Sequence, residues 1–369
     1  MTTPNRMLLG EVPQVHFYAG GEQSPEDVPF PSCLAATMRY LGEEYPWIVR
    51  QENGRVSRDN YANIYILAHS GMAFGLRWRD GWHMDNADHM LVADPSEVIR
   101  RAFAAVGYTY EIVHKTGAPG DADLYRQKIK EALQNGRPAL AFGVIGPPEC
   151  CLVTGYDEDG DVLMGWNFFQ SIPPFNAGVE FEPTGQFRKR NWFDETWSLI
   201  IIGEKVGRPD VHALNRSTLQ WALQIARTPE VYERHSGHAA YGAWAEQITD
   251  EAAFTGQDEA TLRERHDVHN NVVGVLAECR WWAAQWLRYI APAEPAMAEH
   301  LLTAAAHFEK EHDLMWQVWG AVGGNGHPDA WRAFAGPAVR QQIAAWILEA
   351  REHDVAALQD LERALGARA

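Results

Sequence analysis

Hydrophobic spacing divides the chain into a mixed part followed by a helical part. The stretch from Phe30 to Gly42 opens on Pro31 and Ser32 and sets Leu34, Thr37, Met38 and Leu41 on one face. This predicts a helix stopped by Gly42, with Cys33 in its first turn. Ahead of it, Val12, Val15 and Phe17 read as a short strand before a turn at Gly20 and Gly21. Asn60 to His69 runs into Ser70–Trp78, a glycine-punctuated aromatic piece that reads as a buried loop or edge strand. Val98, Ala102, Ala105 and Val106 share a face, so Pro95–Val106 is a predicted helix ended by Gly107, and Asp123 to Asn135 is another, closed by Gly136.

Strands dominate the next stretch. Tyr108–Val113, Arg137–Ile145, Glu149–Tyr156, Asp161–Phe169 and Trp197–Gly203 are apolar runs bounded by proline, glycine or acidic turns. Asp157-Glu158-Asp159-Gly160 has hairpin composition. Helices first and an antiparallel sheet after them make an α+β domain. Gly207-Arg208-Pro209-Asp210 marks its end, giving domains over 1–207 and 208–369. Beyond the boundary every segment reads as helical, starting from a capping box at Ser217-Thr218-Leu219-Gln220. Three apolar stripes follow at helical spacing. They are Val268, Val272, Val275, Cys279, Trp282 and Trp286; then Leu301, Ala305, Phe308, His312, Met315 and Trp319; then Val339, Ile343, Trp346, Ala350, Ala357 and Leu361. Such stripes build a helical bundle, and the tryptophans fill its core.

Composition narrows the function classes. The net charge of −17 and the lack of a recognition motif exclude nucleic acid and argue against an anionic membrane surface. The start of the chain has no apolar run of signal-peptide length, and nothing later reads as a membrane span. Four cysteines in 369 residues do not make a disulfide framework, so a reduced, cytoplasmic protein is expected.

The candidate chemistry centres on Cys33. A thiol at a helix start is favoured as thiolate by the exposed N–H groups and the dipole, while a buried structural cysteine is the plain alternative. A thiol nucleophile needs a base and a group to orient that base. Val153 to Gly160 and Asn167 after Trp166 resemble the corresponding segments of papain-like folds, and that resemblance implies a histidine base at the positions that Glu149, Cys150 and Cys151 occupy here. Ser32-Cys33 with Arg39-Tyr40-Leu41-Gly42, Ser70-Gly71-Met72-Ala73-Phe74-Gly75-Leu76 and the Val153–Gly160 hairpin resemble the N-terminal domain of the butirosin-biosynthesis-protein-H-like family. That family belongs to the papain-like, peptidase-C39-like group. The helical remainder resembles the C-terminal domain of some members. The resemblance implies an α+β papain-like domain and a cysteine acyltransferase, or an amide or thioester hydrolase, of secondary metabolism. Its substrate would be a small-molecule amine, a peptide or an acyl-carrier thioester. It makes Cys33 the nucleophile and Asn167 the orienting or oxyanion group, and leaves Glu149 at the base position. Ser32, Gly71, Phe74, Cys150 and Trp166 are then the candidate substrate-binding residues. No glutamine stands close before Cys33, Gln14 and Gln23 being farther off, which leaves the oxyanion donor unassigned.

Three repairs of the missing base are open. Glu149 becomes a base if burial raises its pKa, His69 or His83 swings in, or the site has lost catalysis and the chain is a binding or scaffold protein. A fourth use of the thiols, metal binding or disulfide cycling by Cys33, Cys150 and Cys151, lacks a Cys-x-x-Cys spacing. In the helical part, His266-Asp267-Val268-His269, Glu309 with His312, and Glu349 with His353 raise a metal site against the plainer reading of partnered core histidines. No metal or cofactor is assigned, and a homo-oligomer is allowed.

Overall fold

The computed structural model describes residues 4–17, 28–43, 61–88, 90, 92, 94–324, 327 and 329–367. The expected turn at Gly20 and Gly21, together with Gln23 and Asn60, lies outside the described residues. The protein is mixed α+β and divides into two compact units, Met1–Ile66 with Phe103–Pro209, and Leu67–Ala102 with Asp210–Ala369.

The first unit is built on an antiparallel sheet of eight strands. Tyr108–His114, Ser198–Lys205, Ala139–Phe142, Cys150–Asp157, Val162–Trp166, Phe187–Arg190 and Val179–Phe181 lie side by side in that order. Met7–Leu8 adds to the far end of Cys150–Asp157, opposite Tyr156 and Gly155. Ala139–Phe142 and Val162–Trp166 are buried along their whole length, as strands covered on both faces must be. The helix Pro29–Tyr40 packs against Cys150–Asp157. Pro29 and Pro31 occupy its first turn, where an N–H has no intrahelical partner to lose. The helix therefore starts earlier than the sequence spacing places it, and Cys33 sits beyond the first turn rather than in it.

The second unit is built from the helices Val211–Arg227, His238–Thr249, Glu259–Ile290, Ala298–Ala321 and Pro337–Gly366, together with the 67–102 stretch. The sequence keeps that stretch within 1–207; its apolar side chains place it here. Leu76 and Trp78 join Trp244, Val272, Met315 and Ile343 in one core, and Trp78 Nε1 donates to Gln247 Oε1 at 2.8 Å. This unit is not wholly helical either. Glu230–Val231, Arg234–Ser236 and Arg77–Trp78 form a three-stranded sheet. The capping box at Ser217 is also corrected. Asp210 caps Val211–Arg227 by accepting from Ala213 N at 2.9 Å, so Ser217 lies inside the helix, where its hydroxyl accepts from Arg101 Nη1 at 3.1 Å. The apolar stripes face inward: Val268, Val272, Trp282, Trp286, Leu301, Phe308, Met315, Ile343 and Leu361 are buried.

Candidate functional site

Ser32 and Cys33 are fully buried on the helix Pro29–Tyr40. Ser32 Oγ donates to Asn63 Oδ1 at 3.3 Å, which uses the hydroxyl in packing. Cys33 Sγ donates to the carbonyl oxygen of Cys150 at 3.6 Å, so the thiol enters the site as a hydrogen-bond donor. Cys150 and Cys151 open the strand Cys150–Asp157, opposite Phe142 and Ala141, and both are buried. Burial pushes the Cys150 thiol up, and the Cys151 and Glu149 charges push it further, against an opposing contact from Cys33. Burial pushes the Cys151 thiol well above its ordinary value, with Cys33 adding to the rise and Asn167 opposing it.

Asn167 follows the strand Val162–Trp166 and closes it with a local turn. Its Oδ1 accepts from Phe169 N at 2.7 Å, and its own N donates to Gln170 Oε1 at 3.0 Å. The buried Asn167 Nδ2 makes no hydrogen bond of normal geometry, although the amide lies near enough to Cys151 to act on it. Cys33, Cys150, Cys151 and Asn167 thus come together. Of the three residues at the base position, it is Cys151 that neighbours both Cys33 and Asn167. Counting along the strand misses this because the ladder shifts register between Val153 and Gly155. Glu149 is half-buried at the strand entrance, its carbonyl accepting from Gly143 N at 3.1 Å, and its charge bears on Cys150. Among the described residues, Cys33, Cys151 and Glu149 act on the Cys150 thiol, and Cys33 and Asn167 act on the Cys151 thiol.

The remaining candidates stand elsewhere or are committed. Trp166 is buried over Gly185, where an added Cβ would lie 3.3 Å from its ring. Gly71 and Phe74 belong to the second unit. An added Cβ at Gly71 would meet Trp221 Nε1 at 2.3 Å, and the Phe74 ring packs on Trp286 and Phe308. His69 is buried in that unit with Nδ1 2.7 Å from Thr218 Oγ1, and burial pushes its pKa down to about 3. His83, in the same unit, precedes the turn Met84–Ala87. One imidazole that the sequence reading passed over belongs to the first unit. His16 precedes Phe17, whose ring packs on Phe168 and Phe169 at 5.0 Å, next to Asn167, and the His16 Nδ1 is buried without a hydrogen-bond partner among the described residues. Its signal was its place at the end of the predicted Val12–Phe17 strand.

The helical metal candidates are also committed. Glu309 pairs with Arg288, and the His312 Nδ1 donates to the Ala277 carbonyl at 2.9 Å. His269 stacks on Phe334 and accepts from Trp244 Nε1 at 3.3 Å, with burial pushing its pKa down to about 3. Among the described residues no group of three or more His, Cys, Asp or Glu side chains is placed to hold a metal ion, and no helix is long and apolar enough to cross a membrane. All four cysteines are buried. No family model matches the chain, and no curated protein matches it.

Proposed function

We propose that this chain is a non-catalytic binding or scaffold protein on a papain-like framework, in which the nucleophile position is kept as a neutral thiol. The observation that carries the reading is the Cys33 thiol itself. It is fully buried, donates to the Cys150 carbonyl, and is flanked by two thiols that burial keeps protonated. A thiolate formed there would lose that hydrogen bond and hold its charge in a low-dielectric site, with the Glu149 carboxylate bearing on the adjoining Cys150. A thiol at the base position does not accept a proton at neutral pH, so the proton transfer required for acyl transfer has no acceptor in Cys151.

A second reading, the cysteine acyltransferase or amide or thioester hydrolase, draws on Glu149 bordering Cys150 and on His16 lying along the segment beside Asn167. Iodoacetamide alkylation of Cys33 against pH, followed by intact-mass analysis with Cys33→Ala as the blank, separates the two. The binding reading expects no alkylation of the folded chain below about pH 8.5, the free-thiol reference, and no acyl adduct from a carrier-protein thioester. Rapid alkylation at neutral pH together with an acyl adduct on Cys33 would overturn it in favour of the enzyme.

A further inference from the structure

Two imidazoles meet where the helices Ala298–Ala321 and Pro337–Gly366 pack together. His307 Nδ1 and His353 Nδ1 are 3.0 Å apart, with ring centroids 5.3 Å apart. Facing ring nitrogens at that separation hold one proton between them, because one must donate as N–H and the other must accept with its lone pair. One positive charge on the pair is compatible with this bond and strengthens it. A second proton sets N–H against N–H and charge against charge, in half-buried surroundings that screen poorly.

We propose that His307 and His353 form a proton-sensitive latch between these two helices, closed while the pair carries at most one charge and released when both rings are protonated.

The neighbouring charges leave this logic in place. Burial lowers the His353 pKa first, and His307 and Lys310 lower it further, while Glu349 and Glu352 on its own helix oppose them. The deeper carboxylates are engaged elsewhere. Glu311 bonds to Arg280 and Tyr241, and Asp354 lies 3.1 Å from Arg280 Nη2 and 3.0 Å from His238 Nε2. From the other elements packed on this pair of helices, Arg288 is paired with Glu309, Arg227 with Glu362 and Arg332 with Asp329. His300, which meets Asp360 at 3.1 Å on the same two helices but outside the imidazole pair, provides a control.

The direction follows from the depressed pKa. The folded chain takes up this proton at lower pH than the unfolded chain, whose histidine titrates near about 6.5, so the latch contributes fully above that value and is lost as pH falls through the folded pKa. Thermal unfolding of the full chain between about pH 7.5 and pH 5.5 tests it, using wild type, His307→Gln, His353→Gln and His300→Gln. Glutamine keeps a donor and an acceptor for the remaining ring but cannot bring a second charge. The wild type is expected to lose about 2–4 °C more in Tm over that range than either latch variant, whereas His300→Gln should not reduce the acid loss. Parallel profiles for the wild type and both latch variants would overturn the proposal. If a glutamine variant fails to fold, imidazole NMR titration of the wild type decides instead. Two separated proton uptakes at His307 and His353, one clearly below about 6.5, support the latch, and two independent ordinary titrations overturn it.

Discussion

Two glycines separate steric need from mere tolerance. A Cβ on Gly165 would lie 2.0 Å from the Leu152 carbonyl oxygen, a backbone atom that cannot step aside without opening the sheet. Gly165→Ala is expected to cost about 1–3 kcal/mol or more, read as a lower urea midpoint. Gly274 lies exposed within the helix Glu259–Ile290 and nothing lies within 4 Å of its added Cβ, so Gly274→Ala should raise stability by about 0.5–1 kcal/mol. Equal effects at the two positions would show that the close strand approach is misplaced. That approach also explains how the site was read from the sequence. Cys33 and Asn167 are recognisable from local pattern, because helical spacing and a strand end are local events. Which of Glu149, Cys150 and Cys151 stands between them depends on register, and the shift between Val153 and Gly155 leaves no local trace.

Among the elements, the helices Glu259–Ile290, Ala298–Ala321 and Pro337–Gly366 are joined inside by one guanidinium. Arg280 is almost fully buried, with Nε 2.5 Å from Glu311 Oε1, Nη2 3.1 Å from Asp354 Oδ1 and 3.0 Å from the Tyr241 hydroxyl, and Nη1 2.9 Å from the Ala73 carbonyl. Arg280→Met removes the cation that two buried carboxyl groups share and is expected to cost about 3–5 kcal/mol. The Glu311 carboxyl responds differently. Burial, its largest influence, pushes it up to about 8, towards the protonated form that a glutamine amide imitates. A raised carboxyl pKa means that the folded chain binds more protons than the unfolded one above about pH 4.5, so this stability falls as pH rises towards 8. Glu311→Gln should therefore lie within about 1 kcal/mol of wild type near pH 6 and gain on it by pH 8.5, measured as urea midpoints at both values. A constant difference between the two pH values would count against a raised Glu311. The stripe through Leu301, Phe308 and Met315 was plain in the sequence, and Glu311 shares its face by three- and four-residue spacing. Its partner Arg280 was not, because pairing between helices far apart in the chain has no periodic signature.

For the molecule as a whole, the separation of a sheet-bearing unit from a helical unit follows the change from strand runs to helical stripes near Pro209. The assignment of 67–102 does not, and the reason is physical. Arg77–Trp78 is too short to show alternation, and its partner His235-Ser236 lies far along the chain. The sequence shows a chain break in periodicity, while the core is assembled from contacts that skip across it. This leads to a prediction for truncation at the sequence-level boundary. A 208–369 fragment keeps every long helix of the second unit but loses Leu76 and Trp78 from the core, the edge partner of Arg234–Ser236 and the Ala73 carbonyl that accepts from Arg280. Each large apolar side chain removed forfeits about 1.5–3 kcal/mol, and the unpaired buried guanidinium N–H adds about 1–3 kcal/mol, which together approach the whole stability of a typical domain. The fragment is expected to keep helical far-ultraviolet circular dichroism, to bind a hydrophobic dye and to melt without a sharp transition, as a loosely packed bundle does. A cooperatively melting fragment with no dye binding would mean that the helices close their own core and that the 67–102 stretch merely covers it.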